Sequence, residues 1–161
     1  MKNSVNSGIV AGGAALAVGG VALIYAVRTI RLALQSRTWP RVIGKVLKTG
    51  VIEIPTARKF SKKYRPVIVY SYAVDDVPYR SEQIGFGFND FMGDGMFGNH
   101  SDAEAFVTPY RPGADISIAY DPQDHFRAVI KTGLNKGHVA TLIFGLFFVV
   151  FGAWCLWNFR R

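Results

Sequence analysis

Residues 8–27 read GIVAGGAALAVGGVALIYAV and decide the class of the protein. This stretch of 20 residues carries no charge, and as an α-helix it is about 30 Å long, the thickness of the hydrocarbon core of a bilayer. A second uncharged stretch, Val139 to Trp157, ends in tryptophans that are followed by two arginines, as is typical of residues at the lipid headgroups. We therefore predict transmembrane helices over residues 8–34 and 137–158.

A cleaved signal peptide is the alternative for the first stretch. Lys2 precedes an apolar run that contains Ala15-Leu16-Ala17, which resembles a cleavage site. However, the run is longer than the usual apolar core of a signal peptide and continues directly into Arg28 and Arg31. These features favour a helix that stays in the chain.

Composition excludes several classes once the apolar stretches are set aside. The chain has 161 residues, 50% hydrophobic and 19% charged, with a formal net charge of +8. Of its 30 charged residues, 27 lie between Arg28 and Lys136, so the middle has the charge content of an ordinary soluble domain. A large multidomain enzyme, a disulfide scaffold and a disordered basic arm are all excluded, because the chain is short, has Cys155 as its one cysteine and is half hydrophobic.

Small residues recur at steps of three and four along the first apolar stretch. They allow a close approach of another helix on one face, for which we predict the packing residues Gly8, Gly12, Ala15 and Gly19. The second stretch is rich in phenylalanine and has Gly145 and Gly152 seven residues apart, which favours small-against-aromatic packing. The alternative is that glycine and phenylalanine are simply frequent in membrane spans.

Basic residues near the apolar stretches predict the orientation. Eight lie on the central side and three on the terminal side, which favours a cytoplasmic central domain with both termini outside. The corresponding localisation is a multi-pass membrane protein with its central domain on the cytoplasmic side.

Between the two apolar stretches, hydrophobic residues alternate as in β-strands. Arg65 to Val74 is the clearest strand, and Asp75 to Pro78 forms a turn before a hairpin partner over Tyr79 to Phe86. Arg41 to Ile54 forms either one long strand or two short strands bent at Gly50.

A second hairpin follows further along the chain. Asp115 to Tyr120 and Phe126 to Ile130 are its predicted strands, and Ser101 with Glu104 is typical of a capping box that starts one short helix. The sequence thus predicts a β domain over residues 39–133, with five or six antiparallel strands in a barrel or sandwich between the two helices.

The central residues resemble the bacterial family known as domain of unknown function 3592. The resemblance is carried by four runs of residues: Arg65 to Gly87, Tyr110 to Gly113, Tyr120 to Pro122 and Ala128 to Ile130. It covers about residues 39 to 133 and implies a membrane-anchored β module without an established activity, so that it supplies no catalytic residue. The chain departs from the family in an enlarged loop, Asn89 to Asn99, and in a basic stretch, Arg58 to Arg65.

The enlarged loop is more apolar than a solvated loop. It lacks the residues of a phosphate loop and the ligand spacing of a calcium loop, so we predict that it contacts a partner or the bilayer surface. The predicted contact residues are Phe88, Phe91, Met92, Met96 and Phe97. The alternative is that the loop folds over its own domain and buries these side chains.

The basic stretch places five cations between two predicted strands. Beside an anionic leaflet each would contribute about 1 kcal/mol, so we predict a contact with lipid headgroups. The predicted residues are Arg58, Lys59, Lys62, Lys63 and Arg65. A solvated hairpin tip is the alternative, and we expect no nucleic acid because aromatic residues are sparse there.

No constellation of residues predicts an enzyme. His100, His125 and His138 lack the spacing of a metal site, and Ser101 lacks the nucleophile elbow of a hydrolase. We expect no cofactor, no metal and no catalytic residue. The leading hypothesis is an accessory or scaffold subunit that binds membrane lipids and a membrane protein partner or a second copy. The alternative is a membrane enzyme or transport component acting on a lipid or an ion.

Overall fold

A computed structural model describes residues 2–56, 62–87 and 95–159 of the chain. Two compact units are present, one formed by residues 1–29 and 138–161 and the other by residues 30–137. The elements in chain order are α1 (Lys2–Gln35), β1 (Arg41–Pro55), β2 (Lys62–Val74), β3 (Val77–Ser81), α2 (His100–Val107), β4 (Asp115–Asp121), β5 (Asp124–Val129) and α3 (Lys136–Phe159).

The first unit is a pair of long apolar helices. Val10–Gln35 of α1 and Lys136–Asn158 of α3 are each long and apolar enough to cross a membrane, judged by length and composition. Both helices include the apolar stretches that the sequence singles out. Two apolar helices that flank a sheet confirm this part of the predicted fold.

The second unit is built on one five-stranded antiparallel sheet. Its strand order is β3-β2-β1-β4-β5, which places β1 at the centre. β1 runs straight through Gly50 as a single strand, and its register shifts between Val46 and Lys48. β3 begins at Val77, earlier than predicted, because the turn consists of Asp75 and Asp76 alone, both with positive φ.

The two edge strands of the sheet approach each other, as in a barrel. Just beyond β3 and β5, the Ile130 and Lys131 amides donate to the Ile84 carbonyl at 3.1 and 2.7 Å. Farther along the same seam, the Tyr79 ring of β3 contacts the Phe126 ring of β5 at 5.2 Å between centroids. The sheet therefore curls on itself rather than forming two layers.

Large side chains fill the inside of the curled sheet. The fully buried members include Ile68, Tyr70, Ile84 and Ile118, and half-buried residues of α2 pack against them. A second cluster joins Trp39 to Phe86, whose rings meet edge to face at 5.5 Å.

The short helix α2 begins differently from the prediction. Asn99 is the N-cap, and its side-chain oxygen accepts the Asp102 amide at 2.8 Å. The predicted capping box of Ser101 and Glu104 is therefore wrong. The helix begins before Ser101, and Glu104 instead lies 3.4 Å from the His100 ring.

Candidate binding surfaces

Glycines of α1 and α3 face each other in the helix pair. A Cβ atom built on Gly12 would lie 3.1 Å from the Gly152 carbonyl oxygen, and one on Gly19 would lie 2.9 Å from the Gly145 carbonyl oxygen. Residue numbers rise along α1 as they fall along α3, so the helices run antiparallel. The seven-residue spacing on both helices keeps the small residues in one seam.

The structure places the predicted packing residues Gly12, Ala15 and Gly19 in this seam. Ala15 is buried, while the side-chain environment of Gly8 lies outside the description. Cys155 lines the same seam, since its Cβ is 3.1 Å from the Cβ position on Gly12. The nearest neighbours of the glycines are therefore backbone atoms of the opposite helix and aliphatic side chains such as Leu16 and Val149, not the phenylalanines that the sequence suggested.

Many of the large apolar side chains of the helix pair are exposed. Ile24 on α1 is 73% exposed, and Phe147 on α3 is 61% exposed. Other exposed large residues are Val10, Val21, Val139, Ile143, Val150, Trp154 and Trp157. The fully buried residues of the seam are thus small, whereas many bulky apolar residues of the pair are exposed.

The basic stretch lies at the end of a two-stranded ribbon formed by β1 and β2. Residues 49–55 of β1 pair with residues 62–68 of β2, and α2 contacts both strands. Lys62 is exposed and forms an ion pair of 3.0 Å with Glu53, which raises the pKa of the lysine. Arg58 and Lys59 lie outside the described residues.

Lys63 and Arg65 are half-buried in the same ribbon. The Arg65 Nε atom is buried and has no hydrogen-bond partner among the residues that the structure describes. The ribbon therefore holds three of the five predicted headgroup residues, all of them near the beginning of β2. Their contact with lipid stays a prediction.

Two of the five predicted contact residues of the enlarged loop are described. Phe97 exchanges both backbone hydrogen bonds with Tyr64 of β2, at 3.0 and 2.9 Å, and its ring lies 5.6 Å from the Phe106 ring. Met96 is half-buried beside it. Phe88, Phe91 and Met92 lie outside the described residues, so the partner contact of the loop stays a prediction.

Tyrosine hydroxyls stabilise the barrel from inside, a feature that the strand pattern gave no sign of. The Tyr70 hydroxyl lies 2.8 Å from both the Gln83 and the Ala128 carbonyl oxygens and donates to one of them at a time. The Tyr72 hydroxyl donates to the His125 carbonyl. Burial raises the pKa of Tyr72 to about 12 and also raises the pKa of Tyr70. Both hydroxyls therefore stay protonated and can donate hydrogen bonds.

Charged side chains on the barrel pair with one another. Arg127 contacts Asp121 at 2.9 Å and Asp124 at 3.2 Å, and Lys45 contacts Asp115 at 2.9 Å. Within the described ranges, no three histidine, cysteine or acidic residues lie close enough to hold a metal ion. These ion pairs join side chains of neighbouring strands or side chains within β5.

Residues 42–135 match the family model described as domain of unknown function (DUF3592). The chain belongs to this family. The match begins in β1 and ends just before α3, so it covers the barrel and α2 rather than the apolar helices. No curated protein matches the chain.

Proposed function

We propose that this member of the family is a two-span membrane protein whose antiparallel helix pair anchors a small β-barrel. We further propose that it acts by binding, as an accessory or scaffold subunit in contact with another protein or with lipid headgroups. The inner membrane of a bacterium is the proposed location, with the barrel on the cytoplasmic side.

The surface of the helix pair carries this proposal. Both helices bury a stripe of small residues, with half-buried leucines beside it, and they expose isoleucine, valine, phenylalanine and tryptophan elsewhere on their surfaces. Soluble proteins rarely expose contiguous apolar patches larger than a few hundred Å². Lipid chains are a solvent in which such a surface is stable, and in lipid small residues allow helices to associate closely.

The ribbon supports the headgroup part of the proposal. Lys62 is exposed, and Lys63 and Arg65 follow it within one strand. In sequence they continue Arg58 and Lys59, which gives five cations within eight residues. Such a cluster matches the charge of an anionic leaflet, with about 1 kcal/mol for each cation near the surface.

Cysteine labelling tests the membrane topology. In a Cys155→Ala background, we would place single cysteines at Asn3 and at Asp76 and treat intact cells with an impermeant maleimide. We expect Asn3→Cys to react from outside and Asp76→Cys to react only after permeabilisation. Reaction of Asp76→Cys in intact cells would contradict the cytoplasmic barrel, and release of the protein from membranes by alkaline carbonate would contradict the spans.

Native mass spectrometry of the detergent-purified protein tests the headgroup contact. The double variant Lys62→Gln/Lys63→Gln should retain less anionic phospholipid than the wild type, because it removes two cations of the ribbon. The matched control is Lys45→Gln/Lys48→Gln, which removes the same charge from β1. Equal lipid retention by the two variants would refute a specific role of the ribbon.

A further inference from the structure

β1 has a free edge beyond its contact with β4. β4 pairs with β1 only through residues Arg41 to Lys45, and Val46 then exchanges backbone hydrogen bonds with Ala114 and Gly113 at 3.0 and 2.8 Å. From residue 49 onward, β1 continues as a partner of β2 alone. No backbone hydrogen bond to its other side joins residues 49–53 to any part of the chain that the structure describes.

The register shows which backbone groups lie on this edge. Tyr64 gives both its amide and its carbonyl to Phe97, so these groups point away from β1. Its partner Glu53 therefore points its own amide and carbonyl away from β2, and the alternation of the strand does the same for Val51 and Thr49. Pro66, opposite Val51, fits this register because proline has no amide hydrogen to give to β1.

The two edges of the ribbon differ in whether their outward backbone groups have hydrogen-bond partners. Phe97 covers the β2 edge at Tyr64, whereas the β1 edge presents three amides and three carbonyls from Thr49, Val51 and Glu53. The segment is rich in β-branched residues and has no proline before Pro55 and no bulge after Lys48. Such an edge is a template for another strand.

We propose that two copies of the chain pair antiparallel along this edge, with Val51 on the two-fold axis. In this register Val51 faces Val51 of the second copy, and Thr49 faces Glu53 of the second copy. All free amides and carbonyls of both edges are then satisfied by six hydrogen bonds. The free groups are centred on one residue, so the strand is its own complement, as a two-fold interface requires.

Side chains on one face of the ribbon fit the same register. Gly50 has open space where a Cβ would stand, and Ile52 is 46% exposed. Two-fold pairing sets Ile52 of each copy opposite Gly50 of the other, where the isoleucine covers the exposed glycine backbone. On the opposite face, the Thr49 hydroxyl can donate to the Glu53 carboxylate of the second copy. This inference goes beyond the proposed function and depends only on β1 and its neighbours.

Disulfide trapping of the full-length protein in mild detergent tests the register. Cα atoms of directly opposed residues in a hydrogen-bonded pair are about 5.5 Å apart, which a disulfide can span. We therefore expect Val51→Cys, in a Cys155→Ala background, to give a disulfide-linked dimer as its main product on mild oxidation. The matched control is Ile52→Cys, whose two copies would lie about 8 Å apart, beyond the reach of a disulfide.

A dimer of Ile52→Cys as abundant as that of Val51→Cys would overturn the register. A cross-linked product in membranes that is not twice the mass of the chain would show a different protein on this edge and would overturn the second-copy proposal.

Size measurement by light scattering gives an independent test. The wild type should be dimeric in mild detergent, and Val51→Pro should be monomeric, because proline removes the central amide of the free edge without removing a bond to β2. Near-ultraviolet circular dichroism checks that the Val51→Pro barrel stays folded, and if it does not, the variant Thr49→Pro repeats the test two residues away. A monomeric wild type, or a folded proline variant that stays dimeric, would overturn the proposal.

Discussion

The helix pair and the barrel bury opposite kinds of side chain. In the helix pair, Gly12 and Gly19 lie inside while Ile24 and Phe147 lie outside. In the barrel, Ile68 and Tyr70 lie inside, while the ion pair of Lys45 and Asp115 lies on the surface. Under the proposed membrane topology, this difference reflects two solvents, which are lipid around the helix pair and water around the barrel. Water favours burial of large apolar groups, whereas lipid leaves close backbone packing as the main source of helix association.

The largest expected effect comes from removing bulk inside the barrel. Ile68 is fully buried, so Ile68→Ala should lower the free energy of unfolding by about 2–5 kcal/mol through lost burial and a cavity. The control Ile24→Ala removes the same atoms from the exposed surface of α1 and should change stability in detergent by less than about 0.5 kcal/mol. Urea titration in detergent, followed by near-ultraviolet circular dichroism, measures both. Similar losses from the two variants would mean that Ile24 is also buried against protein.

Adding bulk between α1 and α3 should separate the two helices. A Cβ on Gly19 would lie 2.8 Å from the Val149 amide nitrogen, so Gly19→Ile forces α1 and α3 apart and should cost about 1–3 kcal/mol. Gly20, the next residue, has no neighbour within 4 Å of a Cβ, so Gly20→Ile is the matched control. Unfolding in increasing mole fractions of dodecyl sulfate reports on the pair. If Gly19→Ile and Gly20→Ile destabilised the helix pair equally, close packing at Gly19 would not be what holds the helices together.

Sequence patterns predict the parts of each region that depend on local order. The apolar stretches and the strand around Ile68 follow directly from the spacing of apolar residues. Curling of the sheet does not, because it depends on the hydrogen bonds of Ile84 to Ile130 and Lys131, which are remote in sequence. A sandwich therefore remained as plausible as a barrel from the pattern alone.

The start of α2 and the helix seam show the same limit. Asn99 with Asp102 and Ser101 with Glu104 both resemble the start of a helix, and the pairing of Phe97 with Tyr64 brings the chain to α2 at Asn99. Glycines of α1 were visible as a stripe, but their partners were not. The seven-residue spacing of Gly145 and Gly152 was the available signal, and the many phenylalanines around it concealed the simpler arrangement.

Loss of one hydroxyl tests the polar part of the barrel core. Tyr70→Phe removes the donor shared by the Gln83 and Ala128 carbonyls and leaves a buried acceptor unsatisfied, which should cost about 1–3 kcal/mol. Tyr120→Phe is the control, because the Tyr120 hydroxyl has no hydrogen bond in the described part of the chain. Thermal unfolding of the two variants measures the difference. An unchanged midpoint for Tyr70→Phe would show that the seam is held by packing alone.

Alkaline pH should destabilise the barrel through the buried phenol of Tyr72. The pKa of Tyr72 is about 12 in the folded chain. In the unfolded chain its pKa is about 10. The unfolded state therefore loses its proton first, and stability present at neutral pH falls as the pH rises between these two values. Denaturant titrations across this range should show a smaller decline for Tyr72→Phe than for the wild type, and equal declines would contradict the buried-phenol explanation.

The smallest expected effects come from introducing a glycine in the barrel and removing one from α1. The two changes should have different physical causes in the two regions. Asp75 and Asp76 form the turn between β2 and β3 with φ values of 50° and 63°, a conformation that favours glycine at its second position. Asp76→Gly relieves this strain but frees the unfolded chain, so the net gain should be about 0.5–1 kcal/mol. Asp76→Ala, which keeps the positive φ without relief, should destabilise the barrel in the same thermal assay.

In α1, Gly20→Ala should stabilise the helix by about 0.5–1 kcal/mol, because no neighbouring atom lies where the added Cβ would stand and alanine is the better helix former. Opposite preferences at the two sites would show that glycine is favoured by backbone conformation at the turn between β2 and β3, whereas in α1 it is needed for close approach, as at Gly12 and Gly19, and not at Gly20.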